Sequence, residues 1–74
     1  MNKQKIAENL IMLRGKRTQS EVAKAINVSQ STYAMYETGR RVPSDEVKIA
    51  LANYFQRTVQ EIFFEPILTL SDGI

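Results

Sequence analysis

The chain has no cysteine, no histidine and no tryptophan, and only three glycines and two prolines. Without cysteine there is neither a disulfide framework nor a thiolate zinc site. Without histidine the commonest metal ligand and the commonest general base near neutral pH are missing. No apolar run approaches the roughly 20 residues that cross a bilayer. No charged-then-apolar leader precedes a small-residue cleavage site. These absences predict a soluble, cytoplasmic chain with no cofactor, no metal and no small-molecule ligand. Its 74 residues make one domain. A domain of that size buries only about 60% of the surface its unfolded chain exposes, which argues against a sizeable catalytic cleft.

Charge is what the chain has, unevenly placed. Residues 1–41 carry eight Lys and Arg against Glu8, Glu21 and Glu37, a balance of +5. Residues 42–74 carry Lys48 and Arg57 against five acidic residues, a balance of −3. A basic half suits a polyanionic partner. Taken alone, it is equally well read as ordinary surface scatter.

The apolar periodicity is helical throughout. Ile6, Leu10 and Leu13 share one face of a first helix, and Gly15 can end it in a left-handed conformation. Thr18-Gln19-Ser20-Glu21 is a capping box. It opens a second helix that runs to about Ile26 and buries Val22, Ala23 and Ile26. Asn27-Val28-Ser29 is a turn, with Asn27 the candidate for positive φ and Val28 a plug between helices. Ser29 caps a third helix, whose inward face is Tyr33 and Tyr36 and which Gly39 ends. Val42-Pro43 breaks the chain. Ser44 caps a fourth helix, with Asp45 and Glu46 favoured in its first turn and Val47, Leu51, Ala52 and Phe55 facing inward. Thr58-Val59-Gln60-Glu61 is a second capping box, opening a short helix with Ile62 and Phe63 that Pro66 stops. Residues 1–64 are expected to form the domain and residues 65–74 a tail, whose Ile67, Leu68 and Leu70 can pack on the core or on a second subunit.

With Ile6, Leu10, Leu13 and Arg14, then Thr18-Gln19-x-Glu21-Val22-Ala23, then Val28-Ser29-x-x-x-Tyr33-x-x-Tyr36-Glu37-x-Gly39-x-Arg41-x-Pro43, and on through Leu51-Ala52, Phe55 and Ile62-Phe63, residues 6–63 resemble the phage-repressor-like helix-turn-helix family, also called lambda-repressor-like, Cro-like or Xre-type. About twenty positions at fixed spacing carry the likeness. It implies an all-α, five-helix bundle with the helix-turn-helix at its second and third helices. It also implies a homodimer on two-fold double-stranded DNA, and transcriptional regulation, most simply repression. Two departures stand out. Asn27 occupies the place where the family usually has Gly, and the link from Arg14 to Gln19 is about two residues shorter than usual.

Gln30, Ser31, Ala34 and Met35 share the outward face near the start of the third helix. A helix fits the major groove and its first residues reach base edges. Gln30 can bond adenine at two atoms, Ser31 can donate or accept, and Ala34 and Met35 can touch a thymine methyl. Without the family pattern the same residues read simply as an exposed helix face. The resemblance implies that Gln19 meets a phosphate at the start of the second helix. Arg40 and Arg41 are candidates for phosphate or the minor groove, Thr32 for a phosphate, and Lys16 and Arg17 for backbone contacts from the short elbow. It also implies that Arg14 and Glu37 form a structural, partly buried ion pair.

No metal triad, nucleophile–base pair or phosphate-cradling glycine loop is visible, so the chain is not expected to be an enzyme. The alternative to a DNA reader is an antitoxin-like or other protein-interaction module, with DNA binding secondary. Its support is the apolar run of Phe63, Phe64, Ile67, Leu68 and Leu70.

Overall fold

The computed structural model describes residues 2–64. They form five helices: α1 Lys3–Arg14, α2 Gln19–Ala25, α3 Gln30–Glu37, α4 Asp45–Phe55 and α5 Val59–Phe63, with no strand among the described residues. The expectations for Pro66, Ile67, Leu68 and Leu70 fall outside the described residues.

Each helix starts on a side-chain oxygen. Thr18 accepts from the amide of Glu21, and Thr58 from that of Glu61, each in a reciprocal capping box. Ser29 accepts from Thr32 N and Ser44 from Val47 N. Asn2, which the periodicity does not single out, caps α1 by accepting from Gln4 N and Lys5 N at 2.9 and 3.1 Å. A cap of this kind contributes about 1 kcal/mol, so five caps matter in a chain with a small core.

The helix ends differ more from expectation. Gly15 has positive φ, but its ψ of −124° lies far from the left-handed helical region. Only glycine adopts that combination readily. Asn27 has φ 61°, and its short polar side chain tolerates that conformation. Gln56, with φ 58° and ψ 46°, closes α4 in the left-handed region. No glycine or asparagine marks that position, so the sequence pattern does not reveal it.

The core is one cluster that draws on all five helices: Ile6 and Leu10 from α1, Val22 and Ala23 from α2, Tyr33 and Tyr36 from α3, Leu51 and Phe55 from α4, Ile62 and Phe63 from α5. Leu13, Val28 and Val47 are partly buried against it. The Tyr33 and Tyr36 rings meet edge-to-face, 6.2 Å apart, which is aromatic packing rather than a base-stacking platform. Asn9 is a buried polar residue, and its Nδ2 donates to the Ile62 carbonyl at 2.8 Å, tying α1 to α5. The core leaves the outer faces of α2 and α3 to solvent.

Candidate nucleic-acid interface

The turn between α2 and α3 is set by local chemistry. With Asn27 at positive φ the chain reverses quickly, and Val28 N donates to the Ala23 carbonyl at 3.0 Å. Val28 then reaches the core while Ser29 caps α3. That places Gln30, Ser31 and Met35 on exposed surface and Thr32 and Ala34 half-buried beside them. Ser29 Oγ donates to Thr32 Oγ1 at 2.9 Å and lies 3.2 Å from Ser31 Oγ. The outward face of α3 has no charged residue.

Behind that face is a polar hub joining three helices. Arg14 Nε donates to Glu37 Oε2 at 2.7 Å, and Arg14 Nη2 to Glu37 Oε1 at 3.1 Å. Arg14 Nη1 donates to the Arg17 carbonyl at 2.8 Å. Gln19 Nε2 donates to Glu37 Oε1 at 3.0 Å. One carboxylate at the end of α3 therefore holds the end of α1 and the start of α2. Its side chain is 3% exposed, against 22% for Arg14. Burial would raise the Glu37 pKa, but the hydrogen bonds outweigh it, Arg14's above all, and the carboxyl titrates below its usual range. The same pairing raises the pKa of Arg14. Tyr33 is fully buried next to this hub. Burial first, and then the carboxylate, push its hydroxyl pKa well up, yet the hydroxyl meets no partner in hydrogen-bond geometry among the described residues.

The basic candidates fall into two groups. Arg40 and Arg41 follow α3, and their amides both donate to the Met35 carbonyl, at 3.0 and 3.3 Å. Their amides are thereby spent on closing α3, while their side chains are exposed and have no acidic partner among the described residues. In the elbow, Lys16 is exposed. Arg17 is engaged within the protein: its guanidinium donates to the Leu13 carbonyl at 3.1 Å and lies 5.4 Å from the Tyr54 ring centroid and 5.7 Å from that of Phe55.

Two neighbours of this surface escape sequence reasoning. Thr38 joins Ser31, Ala34, Met35 and Arg40 in lining a shallow groove of 430 Å³ on α3. The start of α1 packs on the turn after α3: a Cβ on Gly39 would lie 3.6 Å from Gln4 Oε1 and 3.7 Å from the Lys3 carbonyl oxygen. Lys3 is thereby brought close to Arg40 and Arg41. The only available signal was Gly39 itself, whose φ of 76° and close neighbour both favour glycine.

No cluster of acidic residues able to hold a metal occurs among the described residues. No helix is long and apolar enough to cross a membrane. The apolar C-terminal run is partly spent on the core, since Ile62 is 0% and Phe63 3% exposed, whereas Phe64 is 54% exposed.

Comparison with curated proteins and with solved structures returns no significant match. A family model for helix-turn-helix proteins matches residues 9–62, most of the chain and all of the hub, turn and reading helix. The chain belongs to the Xre/lambda-repressor-like helix-turn-helix family of DNA-binding regulators.

Proposed function

We propose that the chain is a sequence-specific reader of double-stranded DNA and represses transcription as a homodimer in the cytoplasm. α3 enters the major groove, where Gln30, Ser31, Ala34 and Met35 meet base edges. Gln19, Thr32, Arg40 and Arg41 hold the phosphate backbone, with Lys16 reaching it from the elbow. Arg17 belongs to that elbow, and its guanidinium braces α1 against α4. The observation that carries this reading is an exposed, charge-free face on α3 flanked by unpaired arginines, because bases are read by hydrogen bonds and methyl contacts while phosphates call for cations.

Residues 1–64 are the DNA-binding unit in this reading, and 65–74 a tail that serves dimerisation. Phe64 supports it, as an exposed aromatic at the edge of the core that leads into Ile67, Leu68 and Leu70. A two-fold protein doubles its base contacts on half-sites about 34 Å apart. The same apolar surface also favours a second reading, in which a partner protein covers it and DNA binding is secondary. Light scattering on the purified chain separates the two: a clean dimer supports the repressor, and an aggregating monomer the missing partner.

Selection from random duplex DNA at about physiological salt tests the main reading. A two-fold motif with half-sites about one helical turn apart is expected. Recovery of no motif above background refutes it.

A further inference from the structure

The groove on α3 has an unusual chemical make-up for a DNA-facing surface. Ala34 and Met35 are apolar. The Thr38 hydroxyl donates to the Met35 carbonyl at 3.2 Å, so what it has left for the groove is a methyl. The Ser31 hydroxyl is within 3.2 Å of Ser29 Oγ and has a partner already. Arg40 stands at the rim, exposed and without an acidic partner among the described residues. The groove therefore offers a methyl-and-thioether floor beside one free cation.

A ligand complementary to that pairing carries an apolar group next to an anion. In the major groove the one apolar group on a base edge is the thymine C5-methyl, and the phosphate backbone is never far from it. We propose that Ala34, Met35 and Thr38 form a thymine-methyl pocket, with Arg40 holding the adjoining phosphate, so that the operator requires a 5-methyl pyrimidine in each half-site. This rests on the DNA-reading function proposed above and adds to it a specific chemical group and a residue, Thr38, outside the face that the sequence pattern marks. Gln30 lies N-terminal to the groove on the same helix and suits adenine N6 and N7, which makes an A·T-containing half-site the natural target.

The experiment replaces each thymine of the selected operator, one at a time, with deoxyuridine. That removes the methyl and keeps every hydrogen-bonding group of the base pair. At one or more positions per half-site, affinity should fall about four-fold, the equivalent of ~0.8 kcal/mol for one buried methyl. Restoring a methyl there as 5-methyl-deoxyuridine, which is thymidine itself, defines the reference. Met35→Ala should weaken binding to the thymine operator and abolish its preference over the deoxyuridine one. Met35 is 37% exposed, so the variant should fold, which its thermal melt verifies. Deoxyuridine tolerated at every position overturns the pocket and leaves the DNA reading standing. So does a folded Met35→Ala protein that keeps the full thymine preference. A selection that returns no operator overturns the DNA reading, and the pocket with it.

Discussion

Replacing Arg14 with Ala tests whether the polar hub sets the angle between the helices. The guanidinium makes three hydrogen bonds, two to the Glu37 carboxylate and one to the Arg17 carbonyl. Without it, a carboxylate only 3% exposed keeps the single Gln19 amide among the printed bonds of this hub. Removing one partner of a buried ion pair costs about 3–5 kcal/mol. Arg14 is 22% exposed, so water reaches one side of the pair and the lower end, about 3 kcal/mol, is the better figure. A chain of this length has a total stability on the order of 4–11 kcal/mol. Each kcal/mol shifts the melting temperature of such a domain by about 4–8 °C, so the fall should be roughly 12–24 °C. Thermal unfolding followed by circular dichroism reads it directly. A fall below about 4 °C would mean that the pair behaves as an exposed one and that the hub does not hold the fold.

The pH dependence gives a second handle on the same variant. In the wild type Glu37 titrates below its ordinary value of 4.5. A carboxylate of that kind contributes stability that is fully present above the unfolded value and is lost as pH falls through the folded one. In Arg14→Ala the burial remains and the main opposing hydrogen bond is gone, so the carboxyl is pushed up instead. The variant then gains from protonation on folding. Its deficit should be largest at neutral pH and should narrow as pH drops through the ordinary Glu range. A deficit that stays constant from about pH 7 to about pH 4 in urea titrations would refute this account. Replacing both partners with apolar residues, Arg14→Met with Glu37→Leu, should recover most of the loss, because no buried charge is then left alone.

Other perturbations separate reading from holding. Gln30→Ala should weaken binding to the selected operator by about 1–3 kcal/mol and leave binding to random DNA nearly unchanged, as titrations on both duplexes will show. Arg41→Ala should weaken all sequences alike and lower the slope of log affinity against log salt by about one unit. Arg17→Ala should lower the melting temperature through loss of its carbonyl bond and its contacts with Tyr54 and Phe55, with little change in that slope. Gln56→Gly should raise stability by about 1 kcal/mol in denaturant titration, since it relieves a left-handed backbone that costs a side chain roughly that much.

What the sequence made legible follows from which interactions are local. Capping boxes at Thr18 and Thr58 join residues three apart, so a short window contains the whole interaction and the helix starts come out correctly. The inward faces of α3 and α4 come out for the same reason, because a helical period acts within one turn or two. Asn27 was readable because only a few residue types tolerate positive φ. Gln56 adopts the same conformation with no such marker, and tertiary packing of α4 on α5 dictates it. Asn9 was unreadable for a related reason. Its partner is a carbonyl more than fifty residues away, and nothing in the first helix alone says that one polar position faces inward.

The reading surface follows the same division. Gln30, Ser31 and Met35 are exposed because their neighbours on α3 are buried, and periodicity within one helix is enough to sort them. Thr38 and Lys3 belong to the surface only because the chain turns at Gly39 and α1 packs back on that turn. The hub explains how such a short elbow is tolerated. Arg14 reaches across to Arg17 O and to Glu37, so the elbow is fixed at both of its ends by one side chain. The missing residues would otherwise have let α1 and α2 find their angle through a longer loop. Here the angle is set by a carboxylate on the reading helix itself. Any change that displaces Glu37 should therefore move Gln19 and α3 together, and the spacing between the phosphate contact and the base contacts is preserved only while the hub stays closed.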